Sequence, residues 1–205
     1  MSKVTQAFEY VDLGKYNEAE ALYQELLNEN LDPKDYESVL FGLGYLYAFT
    51  ERYDDAIRIY EQLLERANND SERAIAYHQI GMVYRMQHDI DKSKEFFGFE
   101  LDIIKDKENN DLAVSANFYE FAEVYKIEGE LSKAVEMGYG ALDHALRSDD
   151  DIALGCAHRV LADIFQEQEQ DALAKFHYEH SLENFQAAED MTAIMDINDT
   201  IDSMS

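Results

Sequence analysis

Few side chains in this sequence stand at the spacings that chemistry requires. His177 and His180 are three residues apart, which on a helix puts both imidazoles on one face and within reach of a shared metal ion. A third and fourth ligand are missing from the local sequence, and the HExxH spacing of zinc proteases does not occur. Cys156, the single cysteine, lies two residues before His158; at that helical spacing the two point to different sides, so the expectation is a buried or half-buried thiol and no activated nucleophile. Asp196, Asn198 and Thr200 alternate as in a calcium loop, but Ile201 stands where such a loop needs glycine and no glutamate closes it. The run Asp149, Asp150, Asp151 falls at a predicted helix start, where carboxylates face the positive end of the helix dipole. No GxSxG, no GxGxxG and no phosphate-cradling glycine loop is present. The sequence therefore predicts no catalysis, no cofactor and no tightly bound metal.

Composition narrows the partners. The formal charge is −27, from 17 Lys and Arg against 44 Asp and Glu, and would repel nucleic-acid phosphates and anionic membrane surfaces alike. Neither is expected as a partner. A lone cysteine permits no intramolecular disulfide, and no N-terminal apolar run resembles a signal peptide or a span, so the expected location is cytoplasmic. With one proline and no Gly/Ser/Pro-rich linker, residues 1–205 are expected to form a single domain.

The elements that carry these residues are helical. Between Glu37 and Leu64, Leu40, Leu43, Gly44 and Tyr47 recur at three- and four-residue spacing, a polar turn follows around Thr50 to Tyr53, and Ala56, Tyr60 and Leu63 resume the period. Small residues at Gly44 and Ala56 allow two helix backbones to approach, with Tyr47 and Tyr60 filling the space around the contact. The pattern returns at Ala7, Gly81, Ala122 and Ala162, with intervals of 37, 37, 41 and 40 residues from one copy to the next. Such hairpins cannot bury their apolar faces alone, and stacked copies can. The predicted repeats are 1–32, 33–69, 70–109, 110–149 and 150–189, with a cap at 190–205. Asp32 before Pro33 reads as an N-cap, Asp70 or Ser71 as another, and Ile194, Ile197 and Ile201 share one face of a closing helix drawn from Met191 to Met204.

The arrangement of Ala7, Tyr10, Ala19 and Tyr23, then Gly44, Tyr47, Ala56 and Tyr60, then Gly81, Tyr84, Ser93 and Phe97, resembles the tetratricopeptide repeat family. Tyr125 and Ala134, then Phe165, Ala174 and Tyr178, continue it. The resemblance implies an all-α right-handed superhelical solenoid of five antiparallel helix pairs plus a C-terminal capping helix, with repeats longer than the family's usual 34 residues or so. It also implies a concave groove lined by the first helix of each repeat. On this chain the groove positions are Phe8, Phe41, Tyr45, Phe49, His78, Met82, Arg85, Tyr119, Lys126 and Arg159. Their apolar first half and partly cationic second half suggest a protein or peptide segment with apolar anchors and an acidic group, held by a non-enzymatic scaffold; a homodimer is the other use for such a stripe. The lysine and asparagine clamp by which some members hold chaperone C-termini is not reproduced. The longer repeats also resemble bacterial peptide-pheromone receptors, so the alternative is a peptide-responsive sensor, here without the DNA-binding domain that such regulators place first.

Overall fold

A computed structural model describes residues 2–203 and contains eleven helices and no strand among them. They are α1 (Lys3–Asp12), α2 (Tyr16–Leu27), α3 (Pro33–Phe49), α4 (Tyr53–Arg66), α5 (Asp70–Met86), α6 (Ile90–Ile104), α7 (Asp111–Ile127), α8 (Leu131–Ser148), α9 (Asp151–Glu167), α10 (Asp171–Ala187) and α11 (Met191–Ser203). Two compact units emerge, residues 1–100 and 101–205, dividing within α6. In the first, α1 packs on α2, α3 on α4, and α4 on α5; in the second, α7 packs on α8, α9 on α10, and α10 on α11.

One turn design joins the helices. After each first helix a residue enters the left-handed region: Gly14 (φ 69°), Glu51 (60°), His88 (60°), Gly129 (79°) and Glu169 (57°). The next backbone N–H then reaches back five residues to an aromatic residue's carbonyl, Lys15 to Tyr10 (2.8 Å), Arg52 to Tyr47 (2.8 Å), Asp89 to Tyr84 (2.9 Å), Glu130 to Tyr125 (2.9 Å) and Gln170 to Phe165 (2.9 Å). This is the Schellman closure, which satisfies carbonyls that the helix end leaves without a partner. The recurring aromatics of the sequence pattern thus sit at fixed distance from the turn.

Helix starts follow the capping side chains. Asp32 accepts from the Asp35 N–H at 2.9 Å with Pro33 at the first helical position, and Asp150 accepts from the Ala153 N–H at 2.8 Å. At α5 the expected cap, Asp70 or Ser71, is corrected to Asn69. Its backbone is extended (φ −147°), its side chain accepts from the Glu72 N–H at 2.9 Å, and the Glu72 carboxylate accepts in return from the Asn68 N–H at 2.7 Å. The glutamate three residues after the asparagine fixes that register. In α11, Ile197 is fully buried, Ile194 and Ile201 are partly so, and Asp196, Asp199 and Asp202 are exposed, while the Met204 end of the predicted helix lies outside the described residues.

Close approach within three of the hairpins rests on absent side chains. A Cβ built on Gly44 would lie 2.7 Å from the Tyr60 ring, one on Gly81 2.7 Å from Phe97, and one on Gly155 2.8 Å from Phe185. Buried serines reinforce the same contacts: Ser93 donates to the Gly81 carbonyl at 3.1 Å and Ser181 to the Gly155 carbonyl at 2.8 Å. We expect Gly81→Ala to destabilise the protein by about 1 to 3 kcal/mol in urea unfolding, because Phe97 is fully buried and cannot swing away, and this outweighs the roughly 0.5 to 1 kcal/mol that alanine gains in a helix. A stabilised variant would show the contact to be loose.

Candidate functional site

In the first unit α1, α3 and α5 leave between them an apolar cavity of about 570 Å³. Phe8 of α1, Phe41 of α3, Leu63 near the end of α4, and Ile75 and Ala76 of α5 give it a hydrocarbon lining; Lys34, Glu37 and Glu72 stand among them. The rings are held by the hairpins behind them. Phe8 lies edge-on to Tyr23 at 5.8 Å and Phe41 edge-on to Tyr60 at 6.1 Å, so the aromatic knobs that build the fold also position the cavity floor. Ile75 is 52% exposed and adds its side chain to the apolar lining. A larger cavity of about 780 Å³ lies beside the α5–α6 turn, but Asp54, Arg58, His88, Asp89, Asp91 and Lys92 make it mostly polar and leave little for an apolar group to occupy.

The residues expected in the groove divide between the units. Phe8 and Phe41 line the cavity. Tyr45 and Phe49 follow one and two turns later on α3, outside the lining but exposed at 47% and 53%, stacked on each other with ring centroids 6.1 Å apart. Phe49 also meets Tyr16 of α2 at 5.5 Å. His78 turns toward α6, its Nδ1 2.9 Å from the buried Glu100 carboxylate, and Met82 and Arg85 are half-buried. In the second unit Tyr119 is half-buried against Ala122 and Val160.

The cations expected to receive an acidic group already have partners there. Lys126 Nζ lies 2.7 Å from Glu123 and 3.5 Å from Asp163, and Arg159 lies 3.7 Å from Asp196. Burial alone would lower the Lys126 pKa, but Glu123, Asp163 and Glu167 outweigh it and hold the ammonium protonated. Sequence reasoning missed Lys34, Glu37, Leu63 and Ile75. Ile75 carried a usable signal, an aliphatic residue outside the packing stripe of its own helix.

The structure gives the histidines different neighbours. His177 is 3% exposed and faces His158 across the α9–α10 hairpin, Nδ1 to Nδ1 at 2.9 Å, while His180 pairs with Glu183 at 3.0 Å. Among the described residues no group of three or more His, Cys, Asp or Glu side chains is placed to hold a metal ion. Burial and the facing imidazoles push both His158 and His177 down to about 4, so at neutral pH one neutral ring donates to the other. Cys156 is half-buried, and burial pushes its thiol up, away from nucleophilic chemistry.

The comparisons with known proteins agree with this architecture. The family model described as tetratricopeptide repeat matches residues 35–106, which span α3 to α6. Residues 35–106 thus match the tetratricopeptide repeat. Solved structures of similar fold include Bacillus thuringiensis PlcR in complex with the peptide PapR7 and DNA, with a TM-score of 0.74 at 14% identity over 98% of this chain and 72% of that one. BtubC from P. vanneervenii aligns with a TM-score of 0.68 at 16% identity over 89% of this chain and 78% of that one. A thermophilic tetratricopeptide repeat protein of Thermus thermophilus aligns with a TM-score of 0.64 at 18% identity over 98% and 96%. No curated protein matches the sequence. No helix among the described residues is long and apolar enough to cross a membrane.

The burial of His158 and His177 makes the pair a pH-dependent element. A histidine whose folded pKa is about 4 binds its proton more readily when unfolded, near 6.5, so the stability present above pH 6.5 is lost as pH falls toward 4. We expect the unfolding free energy to fall by on the order of 2 kcal/mol between pH 7 and pH 5, above most carboxylate titration. Replacing both rings, His158→Gln with His177→Asn, should flatten that slope; an unchanged slope would place its origin elsewhere.

Proposed function

We propose that this tetratricopeptide-repeat protein is a non-enzymatic scaffold that holds a segment of another protein in the apolar groove of its first unit. The observation that carries this reading is the cavity between α1, α3 and α5, whose hydrocarbon lining includes a half-exposed Ile75 while the hairpin cores behind it are filled. An apolar concavity with a few charged groups at its edge is the usual form of a binding site. The segment supplies apolar anchors. Lys126 and Arg159, which the sequence offered to an acidic group, belong to the second unit and already meet carboxylates, so apolar anchors carry this reading.

A second reading uses the same groove in a sensor. The PlcR structure was solved with a peptide, and its fold is similar to this chain over 98% of the length. In a sensor the bound segment changes the protein's dimensions or oligomeric state; in a scaffold it leaves both unaltered. Small-angle scattering of free and loaded protein separates the two.

The full chain panned against displayed random nonapeptides, with enriched sequences synthesised and titrated by calorimetry, tests the groove. Phe41→Ala should weaken binding by on the order of 2 kcal/mol, and Ile75→Gln, at a half-exposed position that leaves the core intact, should weaken it in the same direction. Glu61→Ala, exposed on α4, should change it by less than about 0.5 kcal/mol. Equal affinities for all variants would place the ligand elsewhere. If Tyr45→Ala and Phe49→Ala convert a dimer to a monomer in light scattering, the exposed stack on α3 is an assembly surface.

A further inference from the structure

The geometry points to a particular occupant: a peptide segment that pairs its apolar side chains with a lysine or arginine, seated so that the cation meets Glu37. This rests on the groove reading above and adds the ligand's charge.

Glu37 stands in the second turn of α3, a half-buried residue that lines the cavity, and it makes no ion pair or hydrogen bond among the described residues. A carboxylate without a partner at the edge of an apolar groove favours an incoming cation over an anion. The neighbouring charges favour the same sign. Glu72 adds a second carboxylate to the lining, already accepting from Asn68 and Asn69 but still ionic. The end of α4 approaches with Leu63 and Ala67, and it closes differently from the first helices of the hairpins. Ala67 (φ −59°, ψ 122°) leaves the helix in an extended conformation without a left-handed residue, so the last carbonyls lack the Schellman closure seen at the hairpin turns. The end of that helix, which carries the partial negative charge of its dipole, thus contributes Leu63 and Ala67 to the lining.

Opposing charges are fewer. Lys34, in the first turn of α3, is exposed at the edge of the lining, and Asp32 and Asp35 flank it in that turn. Arg66 is drawn over the Tyr36 ring, 4.6 Å from its centroid. Elsewhere in the unit Lys3, Arg52, Arg58, Arg73 and Lys92 are each tied to carboxylates. The unit as a whole carries 10 Lys and Arg against 20 Asp and Glu, which steers a basic segment inward and repels an acidic one.

The nonapeptide selection tests this directly when run in parallel on the full chain, Ile75→Gln and Glu37→Gln, each checked for helical content by circular dichroism. Peptides retained by the parent chain and lost on Ile75→Gln should be enriched in Lys or Arg next to an apolar residue. One such peptide, titrated by calorimetry, should bind Glu37→Gln about tenfold more weakly and with a shallower salt dependence. Its analogue with the cation replaced by glutamine should bind the parent chain and Glu37→Gln alike. Groove-dependent peptides that carry no basic enrichment, or whose affinity ignores Glu37→Gln, would overturn the charge assignment and leave the groove reading standing. Peptides retained equally by Ile75→Gln would overturn both.

Discussion

An aromatic ring laid against a backbone that carries no side chain is the contact on which this structure depends. Tyr60 against Gly44 and Phe97 against Gly81 in the first unit, and Phe185 against Gly155 in the second, bring helix axes closer than any Cβ permits. The ring then fills the volume that closeness leaves, at the density of a protein interior. Because the turn after each first helix reaches back to a fixed aromatic carbonyl, the ring positions and the turn positions are locked to one another. The repeat can then lengthen from 37 to 41 residues between copies without losing phase, since extra residues enter outside the locked segment.

That packing decides what remains for function. The second-helix aromatics Tyr23 and Tyr60 are consumed by the core, and they in turn prop Phe8 and Phe41 so that those rings reach the cavity. Ile75 follows on α5 with no partner ring and stays half-exposed. Charge acts on a different scale. Exposed ion pairs such as Lys3 with Glu25, or Arg73 with Asp70, add little stability individually, yet they use up most cations of an acidic protein. The surface field is therefore set by carboxylates left over, and Glu37 is one that the fold has partly withdrawn from water.

Local signals were readable in the sequence and cross-helix ones were not. Asp32 before Pro33 and the period of Ile194, Ile197 and Ile201 follow from residues within a few positions of one another, the phase of Gly44 with Gly81 follows from a repeated local pattern, and the structure places them as expected. The α5 cap moved from Asp70 or Ser71 to Asn69 because several good capping residues stood in a row, and only the reciprocal bond from Glu72 selects among them. His177 was read against His180, its neighbour along the helix, whereas its partner is His158, nineteen residues away on the preceding helix. Arg159 looked available for the same reason, since Asp196 is distant in sequence and near in space, whereas the nearest partner of Lys126, Glu123, lies three residues away on its own helix. The family's groove positions found Phe8 and Phe41 but not Leu63, which enters from the end of a second helix that the pattern assigns to packing.

The central claim is that the face formed by α1, α3 and α5 is a binding surface. Amide and methyl chemical-shift mapping by NMR, with a groove-selected nonapeptide titrated into the labelled full chain, tests it most directly. The account predicts that the largest shifts fall on Phe8, Glu37, Phe41, Leu63 and Ile75, with Glu61 and the α2 surface unmoved. Shifts concentrated instead on the polar α5–α6 turn around His88 and Lys92, or spread without a centre, would contradict it.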